Sequence, residues 1–140
     1  EYMTGGHVII LGDVGKNLGQ GMSGGVSYIF PSSIEEFKKV NALETLEFSE
    51  VRYDEEKALI KEMLEAHYKH TRSTKARQIL NQFENVSQYV VKVIPKDYKL
   101  MMQKLIYKKR RIEQVDEATL AAFYDDRKSI EEELQPAVVY

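Results

Sequence analysis

Gly5-Gly6-His7-Val8-Ile9-Ile10-Leu11-Gly12-Asp13-Val14-Gly15-Lys16-Asn17-Leu18-Gly19-Gln20-Gly21-Met22-Ser23-Gly24-Gly25 contains all eight glycines of this 140-residue chain. Glycine loses more backbone freedom on ordering than any other residue. Such a density therefore implies turns at positive φ, or backbones packed too closely to leave room for a Cβ. Two β-type runs accompany the glycines, His7 to Leu11 and Val26-Ser27-Tyr28-Ile29-Phe30, and Pro31-Ser32-Ser33 closes the second. The first part of the chain reads as strand and tight turn.

Working outward, Ile34 to Lys39 reads as a helical turn or two, and Leu46 and Phe48 alternate with polar neighbours as a short strand would. From Asp54 the period becomes helical. Leu59, Ile60, Met63, Leu64 and His67 form a stripe, with acids in the first turn and Lys69-His70 in the last. Ala76, Ile79, Leu80 and Phe83 repeat that spacing after a hydroxyl-rich cap at Thr71 to Thr74. Tyr89 to Pro95 is β-branched and reads as extended, since Pro95 disfavours helical geometry at Ile94. A third helix begins near Asp97 with Tyr98, Met101, Met102, Leu105 and Ile106 on one side. A fourth follows an Asp116 cap and carries Leu120, Phe123 and Tyr124. The expected organisation is residues 1–53 as the glycine-rich segment and its connection, and 54–140 as a helical tail, packed together as one domain.

Composition excludes several function classes. With no cysteine, the chain holds no disulfide, thiolate metal site, iron-sulfur ligand or cysteine nucleophile. A formal net charge of -2 argues against a general nucleic-acid surface. The apolar runs are too short to cross a membrane, and no signal-peptide pattern opens the chain, so a cytoplasmic location is expected. The chain begins at Glu1 without methionine, with structure under way at once, and reads as a fragment.

Gly19-Gln20-Gly21-Met22-Ser23-Gly24 matches the pattern of a dinucleotide phosphate loop, but that mechanism needs a helix after the glycines, and here a strand follows. Gly12-Asp13-Val14-Gly15-Lys16-Asn17 fails as a phosphate loop, with Ile10 in the first glycine position and Asn17 in place of a magnesium-binding hydroxyl. Lys16 reads as a solvated turn residue. His67 and His70 are close enough on a helix to share a metal but lack further ligands. Lys108 to Arg111, with Lys104 one turn earlier, could attract phosphate or an acidic partner, yet acids at Glu113, Asp116 and Glu117 follow at once. No metal, cofactor or catalytic set emerges, and Gly5, Gly6, Gly12, Gly15, Gly19, Gly21, Gly24 and Gly25 read as structural.

The spacing Gly12-xx-Gly15-xxx-Gly19, with Glu1 to Gly6 and Gly21 to Gly25 around it, resembles the glycine repeat of the C-terminal GXGXG domain of the glutamate synthase large (alpha) subunit. Ala66 to Thr71, Lys75 to Leu80 and Lys92 to Lys99 are similar to that family's helical tail, in order. The likeness covers residues 1 to about 106. Arg72 stands where the family commonly has glycine, and Phe83 where tryptophan is usual. The resemblance implies a partial right-handed parallel β-helix followed by a bundle of three to four helices. It also implies a cytoplasmic scaffold domain of nitrogen metabolism, non-catalytic by itself. The parent enzyme would convert glutamine and 2-oxoglutarate to two glutamates, an oxidoreductase with glutamine amidotransferase activity whose FMN and iron-sulfur cluster are bound elsewhere. Expected partners are the other domains of that enzyme and a second copy through the exposed β-helix edge, with neither nucleic acid nor membrane. Two rival readings are a freestanding protein-interaction module using the helical half and a small nucleotide-binding protein using Gly19 to Gly24.

Overall fold

The computed structural model describes residues 2–41 and 44–109. The expected helix from Asp116, and Arg110 and Arg111 of the basic run, lie outside the described residues. The elements are β1 (Thr4–Ile10), β2 (Gly24–Ile29), α1 (Ile34–Val40), β3 (Leu46–Ser49), α2 (Asp54–Thr71), α3 (Thr74–Asn81), a 3-10 turn (Phe83–Gln88), β4 (Val91–Pro95) and α4 (Lys96–Lys109).

Local chemistry sets most of these boundaries. Ser33 caps α1 by accepting from the Glu36 amide at 3.3 Å, and Ser73 caps α3 by accepting from the Ala76 amide at 3.3 Å. Asp54, Glu55 and Glu56 load the N-terminal turn of α2, and its C-terminus closes on Arg72 at φ 57, ψ 28, where the Arg72 amide donates to the Tyr68 carbonyl. Phe83 leaves the α3 stripe and opens the 3-10 turn, while staying packed against the core.

The expected parallel β-helix is not what forms. The strands make one open four-stranded sheet in the order β1-β2-β4-β3. Only β1 and β2 are parallel; β4 runs antiparallel to both β2 and β3. Coil-on-coil stacking requires parallel neighbours throughout, and the antiparallel insertion of β4 removes that arrangement. The reason lies in residues 91–95. All five are buried, so this strand takes a central place with both faces covered. Among the described residues the helices pack on the sheet and do not form a separate bundle, and the edge expected of a β-helix coil is the outer side of β1.

Alternation divides the core. Val26 and Tyr28 of β2 and Phe30 just after it, with Val90 and Ile94 around β4, point to the side where Ile60 and Leu64 of α2 and Ile106 of α4 pack. Ile29, Val91 and Val93 point to the other side, against Phe37 of α1 and Leu46 of β3. Among the described residues, no helix is long and apolar enough to cross a membrane.

Candidate functional site

The glycines gather where β1 and β2 run side by side. A Cβ on Gly24 would collide with the Thr4 carbonyl oxygen and meet Tyr98 Cδ2 at 3.0 Å. Gly25 combines φ 89 with the Met3 methyl and the Gly5 carbonyl as neighbours, a conformation and a space that only glycine satisfies. The Ser23 and Gly24 amides both donate to the Met3 carbonyl, at 2.9 and 3.1 Å, stitching the loop end to the strand start. Gly19 stands against Leu46 and Gly21 against the Tyr2 ring, whereas Gly5, Gly6 and Gly15 face open space and Gly12 makes only ordinary contact with Lys75.

No helix opens after Gly24, because β2 begins there. The backbone amides around it are used within the protein, and the geometry does not form a dinucleotide loop. Asp13, in the neighbouring failed phosphate motif, acts as a clasp. Its carboxylate accepts from the Ser32 amide and the Ser32 hydroxyl, each at 2.7 Å. Those two bonds, with a smaller contribution from Lys75, hold the Asp13 carboxyl below its ordinary value. Lys16 is exposed in a turn. His67 and His70 are both exposed on α2, and the described residues hold no group of three side chains able to bind a metal.

The densest charge chemistry lies where the sequence did not direct attention. Tyr28 of β2 and Lys92 of β4 are direct cross-strand partners, so their side chains leave the sheet together on the face that α2 covers. Glu56 of α2 meets them there. The Tyr28 hydroxyl donates to Glu56 Oε1 at 2.9 Å, and Lys92 Nζ reaches the same oxygen at 3.1 Å. His7 of β1 stacks on the Tyr28 ring, 6.2 Å between centroids and 9° between planes. Burial, then the Glu56 charge and hydrogen bond, push the Tyr28 hydroxyl far above its ordinary pKa, so it is a neutral donor.

Tyr28 and Glu56 are 0% exposed and Lys92 is 2% exposed. A substrate has no route to them, and their chemistry is that of an internal clamp joining α2 to two strands. Sequence reasoning passed over both charges. Glu56 belongs to the acidic first turn of α2, and it also stands one and two turns before Ile60 and Leu64 on the buried stripe. Lys92 was a lone cation within a β-branched run that is central to the sheet.

An open cleft of about 360 Å³ lies beside Pro31, next in the chain to Ser32 of the Asp13 clasp. Phe30, Pro31, Ile79, Val86 and Tyr89 line it together with Lys75, Gln78 and Gln82. It holds no convergent set of acid, base and nucleophile.

Comparison with known proteins identifies the fold's relatives. The GXGXG motif family model matches residues 1–96. The chain is 43% identical over 123 residues to the glutamate synthase (NADPH) large chain of Bacillus subtilis strain 168, covering 88% of this chain and 8% of that one. It is 37% identical over 109 residues to the glutamate synthase (NADH) of Schizosaccharomyces pombe, 78% of this chain and 5% of the relative. Ferredoxin-dependent glutamate synthase 1 of Arabidopsis thaliana is 35% identical over 95 residues, 68% of this chain and 6% of the relative. The chain thus spans less than a tenth of the length of these relatives.

Proposed function

The chain belongs to the GXGXG motif family, as a glutamate synthase GXGXG domain, and from that membership we propose that it serves its parent enzyme as a structural, non-catalytic domain. The observation that carries this reading is the seclusion of Tyr28, Glu56 and Lys92. The most concentrated set of ionisable side chains among the described residues is spent on holding α2 to the sheet, where no substrate reaches it. The glycine seam supports the same role. Close backbone contact along β1 and β2 gives a rigid wall against which other domains of the parent chain pack, with the outer edge of β1 as the meeting surface.

The reaction of the parent, glutamine and 2-oxoglutarate to two glutamates, takes place on other domains, which also carry the FMN and the iron-sulfur cluster. Three relatives whose names specify NADPH, NADH and ferredoxin all match this segment. That breadth supports a domain indifferent to the electron donor.

The test is direct. The purified 140-residue chain is titrated with FMN and with NADPH, followed by fluorescence, and assayed for release of ammonia from glutamine. The expected result is no saturable binding and no turnover. A stoichiometric complex with either cofactor, or measurable glutaminase activity, would overturn the structural reading.

A further inference from the structure

The cleft beside Pro31 combines an apolar lining with polar side chains that the fold does not use. Phe30 and Val86 belong to the core and Ile79 packs against it, so the cleft opens onto core-type surface. Lys75, Gln78 and Ile79 lie on one face of α3 at helical spacing, and Gln82, the residue that ends the helix, continues that face. Tyr89, 48% exposed, joins them from the end of the 3-10 turn.

No hydrogen bond or ion pair to another described residue engages the side chains of Lys75, Gln78, Gln82 and Tyr89. Lys75 is the cation of the set. Its Nζ stands 3.8 Å from where a Cβ on Gly12 would lie, and Asp13 is the acid on which its charge acts. Both Asp13 oxygens are already taken by Ser32, at 2.7 Å each, which leaves the lysine ammonium available to an acceptor from outside the protein. Donors therefore prevail around the apolar lining.

We propose that this cleft is a binding site for a small amphipathic carboxylate, with its ring or branched body on Phe30, Ile79 and Val86 and its carboxylate on Lys75. An apolar body displaces water from surface that the protein leaves uncovered, and a few polar groups fix its orientation, which is the usual division of labour in a ligand pocket. The ammonium supplies a charge-assisted hydrogen bond, and the Gln78 and Gln82 carboxamides can donate to the remaining lone pairs of the carboxylate. A volume of about 360 Å³ equals that of about a dozen water molecules in the liquid, room for one ring and a short acid arm. The site goes beyond the structural role proposed above and does not depend on it, since binding here involves no chemistry.

The probe is 3-phenylpropionate, titrated into the isotope-labelled 140-residue chain and followed by backbone amide shifts. Two partial probes accompany it, 3-phenylpropan-1-ol, which keeps the body without the charge, and propionate, which keeps the charge without the ring. Saturable shifts are expected at residues 75–82 and at Phe30, Val86 and Tyr89, with the acid binding about fivefold more tightly than the alcohol, the gain from one solvent-exposed charge pair. Propionate should bind more weakly still, for want of a body to bury. Lys75 is exposed, so Lys75→Gln leaves the fold intact, and in that variant acid and alcohol should bind equally. No saturation up to about 10 mM acid, or shifts centred elsewhere, would overturn the site. Equal binding of acid and alcohol to the wild type would overturn it as well, reducing the cleft to a patch with general apolar affinity. A preference for the acid that survives Lys75→Gln contradicts the assignment of the carboxylate to that lysine.

Discussion

Lys92 Nζ stands 3.1 Å from Glu56 Oε1 with both side chains at most 2% exposed, and Tyr28 donates to the same oxygen. Removing one member of such a pair leaves an uncompensated charge in the core, which costs about 3–5 kcal/mol. Lys92→Met is expected to lose that much stability in urea unfolding, and Lys92→Met with Glu56→Leu to recover most of it. A double variant as unstable as the single one would mean that the network contributes more than charge balance.

The tyrosine of this cluster makes the protein sensitive to alkali. Its folded-state pKa is raised above the unfolded value of 10.0, chiefly by burial and then by Glu56. The stabilisation it contributes is therefore whole below pH 10 and is lost as pH rises further, at up to about 1.4 kcal/mol per pH unit. Unfolding free energies of wild type and Tyr28→Phe, compared from pH 8 to 11, should converge above pH 10. A constant difference across that range would remove Tyr28 from the cause of alkaline instability.

At the glycine seam, a side chain on Gly24 meets the Thr4 carbonyl oxygen, a backbone atom that cannot rotate aside, and then the Tyr98 ring. Gly24→Val should destabilise by about 1–3 kcal/mol through strain in β1 and β2. Gly15→Ala, where nothing lies within 4 Å, should change the midpoint by no more than about 0.5 kcal/mol equivalent. Equal midpoints for the two variants would show that the seam tolerates a side chain.

Arg72 occupies the left-handed region at φ 57, where a Cβ is strained by roughly 1 kcal/mol or more. Its guanidinium lies 5.6 Å from the Tyr68 ring centroid, a surface contact worth about 0.5–1 kcal/mol. The backbone effect is the larger, so Arg72→Gly should raise the melting temperature, while Arg72→Ala, which keeps the strain and loses the ring contact, should lower it. The reverse order would place the ring contact above the backbone.

Much of this fold was legible locally. Period 2 marked Leu46 and Phe48, period 3.6 marked Ile60 and Leu64, and the hydroxyl-rich stretch Thr71 to Thr74 marked the start of α3, where Ser73 is the cap. The glycine block announced close backbone approach, and the Thr4 to Gly24 contact is that approach. Sheet order was not legible, because the pairing of Tyr28 with Lys92 joins strands far apart in the chain, and no local preference encodes that β4 enters between β2 and β3. The resemblance pointed correctly to the family and wrongly to a β-helix here. The Glu56 clamp escaped notice because acids at a helix start have a sufficient local explanation in the helix dipole. Only its spacing to Ile60 and Leu64 distinguished it from Asp54 and Glu55.

The measurement that bears most directly on the structural role places this chain's residues 1–109 into the Bacillus subtilis large chain at the matching segment and follows glutamate synthase turnover. Glu56→Leu with Lys92→Met in that chimera removes every charge of the buried clamp while keeping the packing. If the domain is structural, turnover stays within about twofold of the chimera without these substitutions. Loss of turnover by tenfold or more, in a chimera whose melting temperature is unchanged, would make Glu56 or Lys92 a participant in the reaction and contradict the account.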